Sequence, residues 1–322
     1  MAADGRTRSP VQNPQSKIER VALIGNGPRA ETRAEAVRAA EGAGLAEHLP
    51  EATAAGVIQR QETAFDVGFL CGTPGRRVER AEAALRQGRH LFLEWPPAAS
   101  AAKAERLAAR AEEAGAEVGV SRPLRFHPLF DTLPARAHVG AVSVQQELAR
   151  ENANDEAAAG FPARLADALD LCGALASGAE GGGSAGGSVT HLGAQAMRSE
   201  NGGARFEVVL VGLQFASGTY AQVGKRQSLA GRRQRRLYAA GPSGFQLEAD
   251  LDAPDVRVHG SDARTGPRDE PPAGGGAFLD VLLRRETRAF LEALRAGRPA
   301  PVSLLDAVAV MRLTERLMRQ VR

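Results

Sequence analysis

A chain of 322 residues is long for one domain and predicts two, with 43% hydrophobic residues to fill their cores. Its net charge of +3 is too small over this length to argue for a nucleic-acid partner, and its two cysteines, Cys71 and Cys172, read as reduced buried thiols rather than a disulfide. No run reaches about 18 consecutive apolar residues, which excludes a membrane-spanning helix, and residues 1–18 read as a disordered tail without a signal-peptide core, so the expected location is the cytoplasm.

Arg20 to Ile24 predicts a short strand running into Gly25-Asn26-Gly27-Pro28-Arg29-Ala30, a G-x-G-x-x-A turn followed by a helix to about Ala40. In such a turn the first glycine permits the tight bend, and the second lets the backbone approach a pyrophosphate at the helix N-terminus. Pro28 suits the first helical position but removes one amide that could face a phosphate. Over residues 31–56 the only large apolar side chains are Val37, Leu45 and Leu49. That composition predicts helix and loop with no second strand, and so no platform for the acidic residue that holds a ribose. Val57 and Ile58 offer at most a stub of strand.

The stretch from Phe65 to Pro97 predicts one strand–helix–strand unit. Val67 to Cys71 is a buried strand, Val78 to Gln87 a helix closed by Gly88, and His90 to Leu93 the next strand. Ligands of open α/β sheets sit outside the carboxyl ends of the strands, which places Thr73, Pro74, Glu94, Trp95 and Pro96 around a site. A helix over Ala98–Ala114 and a strand over Glu117–Val120 follow. The prolines of Ser121-Arg122-Pro123-Leu124-Arg125-Phe126-His127-Pro128 then mark a boundary between domains at 19–121 and 122–322.

Beyond it, strands are expected at Ala141–Leu148, Ser188–Leu192, Phe206–Phe215, Thr219–Val223, Arg236–Ala239 and Phe245–Leu251, with a helix over Arg164–Ala176. Residues 178–188 form a glycine-rich link, and Arg257 to Gly276 reads as polar loop. A long helix spans Ala277–Ala296, and Ser303 is placed to cap the last one. The fold class is therefore α/β: a Rossmann-like parallel sheet, its second strand reduced or missing, followed by an α/β domain with an open, mostly antiparallel sheet.

In this order the motifs GNGPRA, FDVGFLCGTP, AALRQGRHLFLEWPPA, RFHP and GPSGFQLEADL, with the C-terminal run from Glu286, resemble the glucose–fructose oxidoreductase, inositol dehydrogenase and MocA-type (Gfo/Idh/MocA) family over residues 19–322. The resemblance implies NAD(P) as a cofactor held by Gly25, Asn26, Gly27, Thr73, Pro74 and Glu94, hydride transfer to or from a sugar-like small molecule, and oligomers formed through the second-domain sheet. It also exposes departures. The family's Glu-Lys-Pro is Glu94-Trp95-Pro96 here, and an indole carries no transferable proton of useful pKa. The family's Asp-x-x-x-His-x-x-Asp falls on Ala163, Asp167 and Asp170, and a histidine usual after the Thr-Pro loop is Val78.

Losing one general acid–base group costs about 100- to 10,000-fold in rate, and here two are replaced. Trp95 is open to three readings: a plug in the nicotinamide pocket, a platform for a flat ligand, or filler for the missing lysine. Asp167 is either a base of raised pKa or a helix-end charge, and Arg125 either a wall of the ligand cleft or an ion-pair partner. The arginines at 232, 233, 235 and 236 read as a solvated loop. The six histidines show no metal-ligand spacing, so no metal is expected. Two functions remain in view: a degenerate member serving as accessory subunit or small-molecule binder, and an NAD(P)-dependent oxidoreductase of a sugar-like, imine or enone substrate with altered acid–base groups.

Overall fold

The computed structural model describes residues 18–40, 44–50, 65–72, 74–133, 138–149, 160–177, 188–198, 206–228, 234–242, 244–260 and 275–321. Its first sheet is parallel throughout, ordered β2-β1-β3-β4-β5, from β1 (Arg20–Ile24), β2 (Gly44–Leu49), β3 (Val67–Leu70), β4 (His90–Leu93) and β5 (Val118–Val120). Between them run α1 (Pro28–Ala39), α2 (Pro74–Leu85) and α3 (Ala101–Glu113), the last capped by the Ser100 hydroxyl. β3 is buried at all four positions because helices cover both faces, which is why it reads as an unbroken apolar run.

β2 overturns the expectation of helix and loop without a strand over 31–56. GLAEHL pairs in parallel with β1, and its end is fixed by the Gly25 amide donating to the Leu49 carbonyl at 3.0 Å. As an edge strand it is paired on one side, and its residues alternate between exposed and half-buried. Such a strand needs no β-branched run, so its sequence hides it. The stub proposed at Val57–Ile58 lies outside the described residues.

The second sheet is ordered β12-β11-β10-β6-β9-β8-β7, from β6 (Ala141–Ala149), β7 (Val189–Arg198), β8 (Phe206–Phe215), β9 (Tyr220–Ser228), β10 (Gln234–Ala240), β11 (Gln246–Asp250) and β12 (Val256–His259). Only the β6–β9 pair is parallel. β12 is a second correction: it begins where polar loop was expected from Arg257. Val256 and Val258 pack on the core while Arg257 and His259 face out, so four residues of alternation were enough.

A 3-10 turn (Pro123–Phe126) and α4 (Leu129–Thr132) lead into this half, and α5 (Gly160–Ala176) buries Leu165, Leu169 and Cys172 against the sheet. The last two helices, α6 (Gly275–Arg295) and α7 (Leu304–Gln320), serve both cores. Phe278 and Leu282 of α6 pack in the second, and Phe290, Leu291 and Leu294 in the first. α7 sends Leu304, Val308 and Met311 to the first and Leu317 to the second. Ser303 caps α7 as expected: its hydroxyl accepts the Asp306 amide at 3.2 Å, and the Asp306 carboxylate accepts the Ser303 amide at 2.8 Å. Among the described residues no helix is long and apolar enough to cross a membrane.

Candidate functional site

The glycine turn joins β1 to α1. Gly25 has φ +132°, and a Cβ there would stand 2.8 Å from backbone atoms of Cys71 and Gly72, so only glycine fits against the end of β3. Gly27 has φ +96° with nothing within 4 Å of where its Cβ would be, leaving open space over the turn. By helix geometry the amides of Arg29 and Ala30 have no acceptor inside α1 and point toward that space. Asn26 and Arg29 are exposed at its rim. The His48 ring, near the tip of β2, lies 2.9 Å from the Gly25 carbonyl oxygen. Cys71 beside the turn is held as a thiol, its pKa pushed up to about 12 by burial and the Glu94 charge. Thr73 lies outside the described residues, and Pro74 opens α2.

Glu94, at the end of β4, is buried in a charged cluster. Arg33 of α1 is fully enclosed and donates to Glu94 at 2.6 Å, to Glu286 of α6 at 2.7 Å, to the Ser121 hydroxyl at 2.7 Å and to the Thr287 hydroxyl at 3.0 Å. The same guanidinium lies 4.5 Å from the Phe92 ring centroid. Burial acts to raise the Glu94 carboxyl, but Arg33 and Arg29 outweigh it and hold it below the usual carboxylate range. Glu286, with fewer cations near it, is raised by burial. Arg77 of α2 donates to the carbonyls of Glu94, Pro96 and Gly72, and so pins the loops after β3 and β4 to each other.

Next to Glu94, Trp95 precedes a cis proline and packs its indole against Ala166 of α5 and Val310 of α7. The Arg122 guanidinium lies 3.2 Å from the centroid of the indole ring and donates through Nη1 to Asp167 at 2.9 Å. Asp167 keeps 34% of its side chain exposed, while Arg122 keeps 2%. Burial raises the Asp167 carboxyl, against the pull of Arg122 and Arg235. Arg125 grips Asp170 through two bonds of 2.8 and 3.0 Å. Its ion pair therefore joins the turn after β5 to α5, and both Asp170 and Asp167 hold arginines.

Residues 4–122 match the family model described as "Oxidoreductase family, NAD-binding Rossmann fold", the Gfo/Idh/MocA model. Over those residues the chain is similar to the Gfo/Idh/MocA family. No curated protein matches the sequence. Among solved structures, a probable dehydrogenase from Thermotoga maritima superposes with a TM-score of 0.75 at 15% identity, over 94% of this chain and 96% of its own. A putative myo-inositol dehydrogenase from Sinorhizobium meliloti does so with 0.73 at 20%, over 94% and 97%. Biliverdin reductase from Synechocystis, solved with biliverdin and NADP+, gives 0.66 at 19%, over 95% and 99%. At these identities the structural likeness establishes the two-part fold.

The glycine turn combines a tight bend, open space over Gly27 and the amides of Arg29 and Ala30 that α1 leaves without an acceptor. The structure draws Trp95, Arg122 and Asp167 together, with Arg125 and Asp170 adjoining them, and sets Gly25–Gly27 and Glu94 on the Rossmann side.

Sequence reasoning passed over Arg33, Arg77, Arg122 and Glu286. Two of these had a signal. Arg33 falls on the apolar stripe Ala30–Ala34–Val37, and Glu286 on the stripe Leu282–Leu283–Phe290–Leu291. A charge on a buried stripe requires a partner, and opposite charges on two such stripes supply each other's.

Proposed function

We propose that this chain is a small-molecule binder or accessory protein built on the Gfo/Idh/MocA oxidoreductase frame, without the family's proton-coupled dehydrogenase turnover. The observation that carries the reading is the contact of Arg122 with Trp95 on one side and Asp167 on the other. The position of the family's lysine holds an indole, and the position of its histidine holds a carboxylate already engaged by an arginine that does not release its proton. Alcohol oxidation needs a base within hydrogen-bond reach of the hydroxyl. Asp167, tied to Arg122 and flanked by Arg235, is poorly placed to serve.

A second reading has one observation in its favour, the intact glycine turn. When bound, NAD(P)H supplies a hydride; Gly25, Gly27 and the amides of Arg29 and Ala30 would hold its pyrophosphate. An imine or enone acceptor could then draw its proton from solvent, needing no lysine or histidine. A partner or second copy would be accommodated on the outer face of the seven-stranded sheet, where Met197, Leu210, Tyr220 and Tyr238 are exposed.

Titration with NAD(H) and NADP(H), read by Trp95 fluorescence and thermal shift, separates the two, with reduced-cofactor consumption followed over alcohols, imines and enones. The binder reading expects no turnover with any of them. Multiple turnovers would overturn it in favour of the reductase.

A further inference from the structure

We propose that Arg122 is the anchor for a carboxylate group of the small molecule bound in the cleft between the two halves, an inference that rests on the binding function above and gives its ligand a chemical class. Arg122 offers three nitrogens, and only Nη1 is engaged, by Asp167 at 2.9 Å. Its Nε and Nη2 are buried and have no acceptor. Those two nitrogens form the side-on edge of a guanidinium, whose parallel N–H bonds match the two oxygens of a carboxylate.

The same chain shows that edge in use nearby. Arg125 holds Asp170 with Nε at 2.8 Å and Nη2 at 3.0 Å. Arg235 turns Nε and Nη2 on Asp252 at 2.9 and 2.7 Å. Arg122 presents an equivalent fork with no carboxylate in it. Its guanidinium is held against the Trp95 ring, so the edge is preorganised, and the Asp167 side chain beside it is 34% exposed.

Cations gather near this edge, alongside the carboxylates of Asp167 and Asp170 that also act on Arg122. On the sheet face beneath the start of α5, Gln146 of β6 stands between Arg235 on β10 and Lys225 on β9 in the strand register. Gln146 donates to the Arg164 carbonyl at 3.3 Å, while its own Oε1 is buried without a donor. Lys225 is driven down to about 7 by burial and, to a lesser degree, by the Arg164 charge near it. Arg29 of α1 adds a further cation, acting on both Glu94 and Asp167.

The test uses the full-length protein, whose single tryptophan is Trp95 and reports on the Arg122 contact directly. Malonate, succinate and lactate are titrated at constant ionic strength, with succinamide as the uncharged control and inorganic phosphate as the competing oxyanion. At least one carboxylate should give a saturable fluorescence change and a rise in Tm at about 10 mM or below, with none from succinamide. Arg122→Lys, which keeps the charge but loses the fork, should weaken that response by about tenfold or more. Asp167→Asn, which removes the neighbouring negative charge, should tighten it several-fold, and carries the test if the lysine variant fails to fold.

Equal affinity in Arg122→Lys, unchanged or weaker binding in Asp167→Asn, a response to phosphate alone, or no saturable response would each overturn the assignment. Reduced-cofactor turnover on a bound carboxylate would sink the non-redox reading while leaving the anchor standing. Silence toward every carboxylate removes the anchor and leaves that reading untouched.

Discussion

Arg33 Nη2 and Glu286 Oε2 lie 2.7 Å apart although 253 positions separate them in the chain. One sits on the first helix of the Rossmann half and the other on the long C-terminal helix, and both are shut off from water. The guanidinium also holds Glu94, so one cation serves two buried carboxylates at the point where β4, β5 and α6 converge.

Removing that cation is the most damaging single change expected here. Arg33→Met would leave Glu94 and Glu286 buried against each other, and breaking such a pair typically costs about 3–5 kcal/mol. Arg33→Lys should recover little, because one ammonium cannot reach four partners spread around a planar fork. Chemical denaturation of the two variants checks this, and a loss under about 1 kcal/mol would contradict the structural role given to Arg33.

The glycines of the first turn should separate stability from binding. Gly25→Ala forces a Cβ to within 2.8 Å of the Cys71 and Gly72 backbone at a φ that side chains avoid, for a cost of about 2 kcal/mol or more. Gly27→Ala meets no atom and should cost about 1 kcal/mol, but it places a methyl in the space over the turn. If the turn receives a pyrophosphate, dinucleotide affinity in Gly27→Ala drops by about tenfold or more while Tm changes by only a few degrees. Equal affinity in Gly27→Ala and wild type would argue against any phosphate contact there.

Restoring the family's residues should not restore a dehydrogenase. Trp95→Lys would set an ammonium beside the Arg122 guanidinium and strip the packing on Ala166 and Val310, with an expected loss on the order of 2 kcal/mol. Adding Asp167→His removes the carboxylate to which Arg122 donates, leaving only the pull of Asp170, and compounds the loss. Alcohol oxidation by the double variant above the wild-type background would show the cleft to be nearer a working site than the Arg122 contacts imply.

Two histidines make the fold sensitive to acid. His127 accepts the Leu129 amide on Nδ1 at 3.1 Å, and its Nε2 stands 2.9 Å from the carbonyl oxygens of Asp250 and Ala253, an arrangement that suits the neutral ring. His90 likewise accepts the Glu117 amide on Nδ1. Burial lowers both pKa values. A lowered histidine binds its proton more readily in the unfolded chain, so its contribution is complete above about pH 6.5 and declines as pH falls toward the folded value. Glu286 and Asp167, raised by burial, act in the opposite sense. Comparing Tm for wild type and His127→Gln across this interval isolates the histidine: the wild type should fall more steeply on acidification, and parallel curves would refute the assignment.

How far the sequence could be read depended on how many faces of an element are buried. β3 and β4 are covered on both faces and announce themselves as apolar runs, as does the glycine turn through its spacing. β2, an edge strand, has exposed residues at every second position, so GLAEHL carries no apolar signature at all. In the site, the substitutions at 95, 163 and 167 were legible because a motif frames them. The arginine that joins two of them was not. Arg122 lies in a proline-broken turn with no periodicity, and its partners come from the loop after β4 and from α5, separated in the chain by the rest of the Rossmann half and by β6.

The two C-terminal helices carry an implication for biosynthesis. Leu304, Val308 and Met311 cover one side of the first sheet, and Phe290, Leu291 and Leu294 the other. A nascent chain that has emerged only as far as residue 121 thus holds a sheet with parts of both surfaces bare. The Rossmann half cannot close until residues 290–311 have been made. Until then apolar surface of the sheet stays exposed, and removal of α7 should unmake the part of the protein that was synthesised first.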